Sequence, residues 1–181
     1  MSLLLAASLL LKALAIPLLA RVAWVDFSTQ KITNRDVLLL LCLGLGSLQL
    51  LSVQAGSWWD MGLSAIAALT LFIVLFPLWA MRKVGAGDVK LMAVTPFLIG
   101  GSNLAVFSLL LLGFAGVIVI LVRNPFLLPA GLFRQYVQHL DRKGVVPFGV
   151  PISAAAICTI AFQIYVSLMV ATSSGILQQL N

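Results

Sequence analysis

Six apolar stretches run along the chain, and short polar segments separate them. The stretches lie near residues 3–25, 37–54, 61–81, 88–101, 104–122 and 148–171. A helix needs roughly 20 predominantly apolar residues to cross the hydrocarbon core of a bilayer, and all but the fourth stretch come close to that length or exceed it. The pattern therefore predicts an all-α fold, a polytopic membrane bundle of about six transmembrane helices that forms a single domain over residues 1–181.

The fourth stretch is short for a membrane crossing. Residues 88–101 would form roughly 20 Å of helix, against a hydrocarbon core of roughly 30 Å. A re-entrant loop is the alternative structure for this segment. If the segment did not cross, the basic segment at 123–146 would lie on the opposite side from the other basic segments. A short crossing helix that starts below the membrane surface is therefore favoured.

The polar segments differ in charge. Three of them, at 26–36, 82–90 and 123–146, carry basic residues, whereas the segments at 54–60 and 100–103 carry none. The basic residues of the three segments are Lys31, Arg35, Arg82, Lys83, Lys90, Arg123, Arg134, Arg142 and Lys143. By the positive-inside rule, these three segments face the cytoplasm and both termini lie outside.

Composition places the chain in lipid and narrows its chemistry. Of the 181 residues, 62% are hydrophobic and 9% are charged, whereas a soluble domain carries about a quarter charged residues. The net charge is +6, most of the basic residues lie in the loops, and no basic stripe indicates a nucleic-acid partner. Cys42 and Cys158 lie in apolar stretches without a C-x-x-C pair, so neither a zinc site nor a disulfide is predicted. No metal or cofactor is implied.

All acidic residues are aspartates, at positions 26, 36, 60, 88 and 141. Asp36 and Asp60 stand where the second and third helices start, and aspartate is a good N-cap. Asp141 is expected to pair loosely with neighbouring bases. It follows a segment, 132–140, whose apolar residues recur at helical spacing and predict an interfacial amphipathic helix. His139 in that segment is interpreted as a surface residue, and Lys12, near the middle of the first stretch, has no functional explanation.

Asp26 and Asp88 are the candidates for chemistry. Asp26 ends the first apolar stretch, and Asp88 follows Gly85-Ala86-Gly87 where the fourth begins. Taken singly, Asp88 could be a helix N-cap and Asp26 an interfacial loop residue. Both lie on the predicted cytoplasmic side, where a compact bundle could bring them together. Two adjacent carboxyls can share a proton, so that one activates water while the other protonates a substrate carbonyl.

Three segments together resemble one protein family. Gly85-Ala86-Gly87-Asp88 followed by Val89-Lys90-Leu91 looks like the GxGD motif of the type IV prepilin peptidases, which are aspartic proteases of bacterial membranes. Asp26 with the downstream Ile32-Thr33-Asn34 resembles the family's first aspartate and its Ile-Pro-Asn. Val146-Pro147-Phe148-Gly149 resembles the Pro-Tyr-Gly segment before the last helix. The resemblance covers nearly the whole chain, and the motifs occur in the family's order.

The resemblance implies that Asp26 and Asp88 are the catalytic pair of an endopeptidase. Such an enzyme removes the basic leader from prepilins on the cytoplasmic side of the inner membrane, commonly after a glycine. Six further residues are implied to shape the site or bind substrate: Gly85, Gly87, Lys90, Asn34, Pro147 and Gly149. Gly87 is expected to leave the backbone open for an extended substrate strand. Thr33 replaces the usual proline and Phe148 the common tyrosine, so a tyrosine hydrogen bond cannot be carried over.

Larger members of the family carry an additional N-terminal region with paired cysteines and also methylate the new N-terminus. The chain resembles instead the small, peptidase-only members associated with Flp or tight-adherence pili, and no N-methyltransferase activity is expected. Two non-enzymatic alternatives stay open. One is a small proton- or cation-coupled transporter that uses the same carboxyls, although no internal repeat supports it. The other is a pilus-assembly scaffold. The oligomeric state is not defined by the sequence.

Overall fold

A computed structural model describes residues 2–124, 131 and 147–179, the last six by their backbone alone. These described residues contain six α-helices. The helices are α1 (Leu3–Thr29), α2 (Asn34–Ala55), α3 (Trp59–Ala80), α4 (Ala86–Ile99), α5 (Leu104–Arg123) and α6 (Gly149–Gln179). A 3-10 turn at Gly101–Asn103 joins α4 to α5, and no strand occurs in the described residues. The all-α prediction is therefore confirmed, and α1 and α6 extend several residues beyond their predicted ends.

Within the described part of the chain, five of the six helices are long and apolar enough to cross a membrane, and the exception is α4, with 14 residues. Their outward faces are apolar, as the exposed fractions of Trp24, Leu109 and Leu112 show, each being 72%. Lipid is the solvent that accepts such surfaces. The chain is therefore a multi-pass membrane protein.

The short helix α4 lies at the centre of the bundle, with α2, α3 and α6 packed around it. Its residues Val89, Leu91, Leu98 and Ile99 are almost completely buried. At Gly44 of α2, an added Cβ would lie 2.9 Å from the backbone carbon of Phe97, so a small residue allows the two helix backbones to approach closely. Because its neighbours shield it from lipid, α4 can be short without exposing unpaired backbone groups to hydrocarbon.

The bundle has two chemically different ends. We call the end that carries the connections 30–33 and 81–85 and the first residue of α6 the basic end. We call the end that carries the connections 56–58 and 100–103 the opposite end. Contacts such as the hydrogen bond from Lys90 to Asn34 link elements at the basic end, and contacts between Ser102 and Asp60 link elements at the opposite end. The predicted charge segregation along the chain therefore becomes a segregation in space.

Asp36 and Asp60 do not cap their helices, so that prediction is wrong. The N-cap of α2 is Thr33, whose Oγ1 accepts a hydrogen bond from the backbone N–H of Asp36. The buried carboxylate of Asp36 instead lies 3.2 Å from Arg21 of α1. The N-cap of α3 is Trp58, and Asp60 accepts hydrogen bonds from the backbone N–H and hydroxyl of Ser102. Asp36 finds its partner on α1 and Asp60 finds its partner in the 3-10 turn after α4, and helix-start propensities contain no information about those partners.

The predicted amphipathic helix at 132–140, with His139, and the proposed pairing of Asp141 lie outside the described residues. They stay predictions.

Candidate active site

Asp26 lies one turn before the end of α1, on the face that carries Leu19 and Val22 into the core. This face is buried because residues three and four apart share one side of a helix, and Asp26 itself is 5% exposed. Its Oδ2 accepts a hydrogen bond of 2.9 Å from the backbone N–H of Gly149, and a second comes from the backbone N–H of Val150. A carboxyl on an otherwise apolar face is thus paired with backbone donors of another helix.

Gly149 is the first residue of α6, and its hydrogen atom in place of a side chain is what allows Asp26 to approach. An added Cβ would lie 2.7 Å from both Cγ and Oδ2 of Asp26. The first N–H groups of a helix have no partner within the helix and carry partial positive charge. Pro147, which is buried two residues earlier, restricts the backbone where α6 begins. The Pro147-Phe148-Gly149 segment therefore presents a helix N-terminus to Asp26.

Asp88 stands in the first turn of α4, three residues after the N-cap, which is Gly85. The N-cap interpretation of Asp88 is therefore wrong, although the carboxyl does serve this helix end. Its side chain turns back and accepts a hydrogen bond from the backbone N–H of Gly85, as in a capping box. An added Cβ at Gly85 would lie 2.9 Å from Oδ2 of Asp88. A small residue at this N-cap leaves the space that the carboxyl occupies.

The two carboxyls line the same cavity, which has a volume of about 440 Å³ and lies at the basic end of the bundle. Burial, together with the nearby charge of Asp26, raises the pKa of Asp88 to about 7. Asp88 lies outside the five long membrane helices, in a turn that borders this cavity. Close carboxyls cannot both ionise easily, so the pair tends to hold one proton between them.

Two contacts join the start of α2 to the start of α4. The Nζ of Lys90 donates a hydrogen bond of 2.8 Å to Oδ1 of Asn34. Ile32 packs against Gly87, where an added Cβ would lie 2.8 Å from Cβ of Ile32. The space beside Gly87 is thus already filled by the protein's own side chain. The missing side chain of Gly87 thus accommodates Ile32, and the expectation that its backbone is open to a substrate strand stays a prediction.

The six residues that the resemblance implied beside the two aspartates all lie at the basic end of the bundle. Gly149 and Gly85 contact the two carboxyls directly, whereas Asn34, Lys90 and Gly87 act between helices. Pro147 lines the cavity. None of the six lies remote from the site.

Several residues that line the cavity were not predicted as site residues. These residues are Arg82 and Lys83, which the sequence distinguished only by their charge, and Gln30, Trp79 and Val84, which no sequence pattern indicated. Arg82 has a φ of 58°, in the left-handed region that is uncommon for a residue other than glycine. Residues 82–84 could have been predicted to lie near the site, because they immediately precede the Gly85-to-Asp88 motif. The contribution of Gln30 depends on the way α1 ends, which only the structure shows.

A family model described as the type IV leader peptidase family matches residues 13–121. The chain belongs to this family. The matched range contains Asp26, Asn34 and the motif from Gly85 to Lys90, and it ends before Pro147 and Gly149. A search of curated proteins and a search of solved structures found no match.

Membership of the leader peptidase family indicates that the protein is a peptidase, and it favours the enzymatic interpretation over the transporter and the scaffold. It also agrees with the membrane location of the helices.

Proposed function

We propose that the protein is a membrane-embedded aspartic endopeptidase that removes the basic leader peptide from type IV, Flp-like prepilins at the cytoplasmic face of the bacterial inner membrane. The observation that carries the proposal is that Asp26 and Asp88, far apart in the chain, line one open cavity at the basic end of the bundle. A pair of carboxyls that can hold one proton is the chemistry with which aspartic proteases hydrolyse peptide bonds.

The surroundings of the two carboxyls support different roles in that pair. Asp26 accepts hydrogen bonds from two backbone N–H groups at the start of α6, and these bonds stabilise its negative charge. Asp88, whose pKa is raised to about 7, is the better holder of the shared proton. Asp26 is therefore the base and Asp88 the acid at the start of the reaction.

In the resulting mechanism, Asp26 removes a proton from water as the water oxygen attacks the scissile carbonyl carbon. Asp88 gives its proton to the carbonyl oxygen, so the intermediate is a neutral gem-diol. When the diol collapses, one of its hydroxyl protons returns to Asp88 and the proton on Asp26 passes to the leaving nitrogen. The C–N bond breaks, and both carboxyls regain their starting states.

The shape of the site supports a substrate that is polar on one side of the scissile bond and apolar on the other. A second cavity of about 380 Å³ adjoins the first, and the two share Val84, Asp88 and Phe148. Apart from Asp88 and Ser108 its lining is apolar: Leu75 of α3, Met92 of α4, Leu111, Leu112 and Ala115 of α5, and Ile152 of α6. We call this second cavity the apolar groove. It would hold the apolar segment of a prepilin while the leader lies in the polar cavity.

The occupant of the apolar groove can be tested with two matched cysteines. Leu109 and Leu112 lie on α5 and are equally exposed, at 72%, but only Leu112 lines the groove. In a background with Cys42 and Cys158 replaced by serine, Leu112→Cys should cross-link to a cysteine in the apolar segment of a prepilin, and Leu109→Cys should not. Equal cross-linking at both positions would place the apolar segment elsewhere.

The proposal as a whole is tested by the variants Asp26→Asn and Asp88→Asn. Each should insert into the membrane at the parental level and leave a co-expressed prepilin uncleaved, because one carboxyl cannot both hold the proton and activate water. Processing is read by a gel shift and by the mass of the product. Asp141→Asn makes the same chemical change in the connection after α5 and should retain cleavage. Efficient cleavage by either dyad variant would remove the proposed mechanism.

A further inference from the structure

Lys12 is a cation near the middle of α1, and it is 7% exposed. An ionisable side chain at this depth of a membrane helix is costly, and when present it usually pairs with other polar groups. The dyad does not explain it, because Asp26 lies 14 residues further along α1 and Asp88 lies at the start of α4. The burial of Lys12 must therefore have a separate structural cause.

Lys12 begins a short chain of hydrogen bonds that joins three helices. Its Nζ donates a hydrogen bond of 2.6 Å to Oε1 of Gln163 on α6. Nε2 of Gln163 donates one of 2.6 Å to the backbone carbonyl of Ile99, the last residue of α4. Nδ2 of Asn103 donates a further bond to the same carbonyl. The cation, the amide and the carbonyl thus link α1, α6 and α4, and we call this chain the clamp.

The clamp binds the C-terminal end of α4. The last carbonyls of a helix have no N–H partner within it, and cations are favourable near that end. Pro96 lies within α4 and has no N–H to donate to the preceding turn, which weakens this half of the helix. The clamp satisfies the carbonyl of Ile99 with a side chain that Lys12 in turn orients.

Asp60 extends this polar cluster to α3. The charge of Asp60 interacts electrostatically with Lys12. The Asp60 carboxylate also accepts two hydrogen bonds from Ser102 in the turn after α4. At Gly100 an added Cβ would collide with the Asp60 carboxylate. The C-terminal end of α4 is therefore surrounded by polar contacts to other helices, whereas its buried Thr95 bonds only within α4, to the carbonyl of Leu91, and its other core residues are apolar.

The three helices of the clamp also build the site, because α1 carries Asp26, α4 carries Asp88 and α6 carries the Gly149 that donates to Asp26. α1 carries Lys12 and Asp26, which are 26 − 12 = 14 residues apart, and α6 carries Gln163 and Gly149, which are 163 − 149 = 14 residues apart. At a rise of 1.5 Å per residue, each separation is roughly 21 Å. α4 carries Ile99 at one end and Asp88 near the other. A shift of α4 along its axis at the clamp would therefore move Asp88 relative to Asp26 by the same distance.

We infer that Lys12 is a positioning residue: through Gln163 it fixes the height of α4 against α1 and α6, and so fixes the separation of the two carboxyls. The inference rests on the proposed function only for its catalytic consequence. Its structural consequence, the position of α4, can be measured without any substrate.

The structural arm of the test uses spin labels on cysteines at Thr29 of α1 and Ala86 of α4, in a background without the native cysteines. Both positions are exposed at the basic end. The parental protein should give a narrow distribution of label-to-label distances. Lys12→Met should broaden or shift that distribution, and the exchange Lys12→Gln with Gln163→Lys, which rebuilds the pair in reverse, should restore it. An unchanged distribution in Lys12→Met would overturn the inference.

The catalytic arm measures kcat and KM for prepilin cleavage without labels. Displacement of reacting groups by about 1 Å can lower a rate by roughly 100-fold, so Lys12→Met and Gln163→Leu should lower kcat by about 10-fold or more with little change in KM. The exchanged pair should recover most of that loss. Gln49→Leu makes the same change on an exposed position of α2 and should have little effect.

The outcomes separate the two proposals. If the variants lose only thermal stability and keep kcat, or if the exchange fails to rescue both kcat and the distance distribution, Lys12 has a purely structural role and the inference is wrong. If the parental protein cleaves no prepilin, the proposed function fails, and the spin-label distances alone decide whether the clamp positions α4.

Discussion

The replacement of Gly149 by alanine tests the connection between α6 and Asp26 with a single methyl group. The added Cβ would lie 2.7 Å from Cγ and Oδ2 of Asp26, whereas ordinary contact begins at 3.4 Å. One group must therefore move by 3.4 − 2.7 = 0.7 Å. Gly149 does not have a positive φ, so alanine introduces no backbone strain, and the effect should come from this contact alone.

The size of the effect follows from the hydrogen bond that the movement disturbs. The bond from the Gly149 N–H to Asp26 is 2.9 Å long, and hydrogen bonds to charged groups contribute about 1.5–3 kcal/mol. If that contribution is lost from the transition state, kcat/KM should fall roughly 10- to 150-fold, at about 1.4 kcal/mol for each factor of ten.

The assay is the initial rate of cleavage of a purified prepilin in detergent micelles, with thermal unfolding as a check on folding. Gly113→Ala is the matched control, because an added Cβ on that glycine of α5 meets nothing within 4 Å. It should keep the parental rate. Cleavage by folded Gly149→Ala within about twofold of the parental rate would refute the reasoning that this backbone donor supports the dyad.

Three further predictions concern the proton, the packing and the topology. Because the pKa of Asp88 is raised to about 7, the proton that catalysis needs is present below that pH and is lost above it, so kcat/KM should fall as the pH rises past about 7; a flat profile up to about pH 9 would contradict this. Gly87→Ala should impair cleavage by its collision with Ile32, and adding Ile32→Ala should recover part of the loss; no recovery in the double variant would show that the methyl group acts on something else. If the basic end faces the cytoplasm, a lone cysteine at Ser57 should react with an impermeant thiol reagent in intact cells and one at Lys31 should not, whereas the reverse pattern would invert the topology.

The sequence alone determined the class of fold and the candidates for chemistry. The length of each apolar stretch can be read directly from the residues. It predicts a membrane helix because a segment that crosses lipid must form all its backbone hydrogen bonds internally and present an apolar surface. The boundaries of α2, α3 and α5 therefore fall close to the predicted ones. With only five acidic residues in the chain, Asp26 and Asp88 could be singled out by their place at the ends of apolar stretches and by the motif after Gly85.

Contacts between helices could not be read in this way. Asp36 and Asp60 were predicted as helix caps from their local positions, but their partners, Arg21 and Ser102, lie on other segments of the chain. Gly87 was explained by a substrate strand, and the structure fills that space with Ile32. In each case the residue type was informative, but its partner lies on another segment of the chain. The residues around a position do not show which distant segment packs against it.

The tertiary structure decided which groups surround the two carboxyls and why. Gly149 lies 123 residues after Asp26 and reaches it only because α1 and α6 pack side by side. Lys12 had no explanation in the sequence, because a cation in an apolar stretch says nothing about the amide that accepts its hydrogen bond. Periodicity and length act within one helix and are therefore visible in the sequence. The pairing of buried polar groups depends on how helices are arranged around each other, which is settled only when the whole bundle packs.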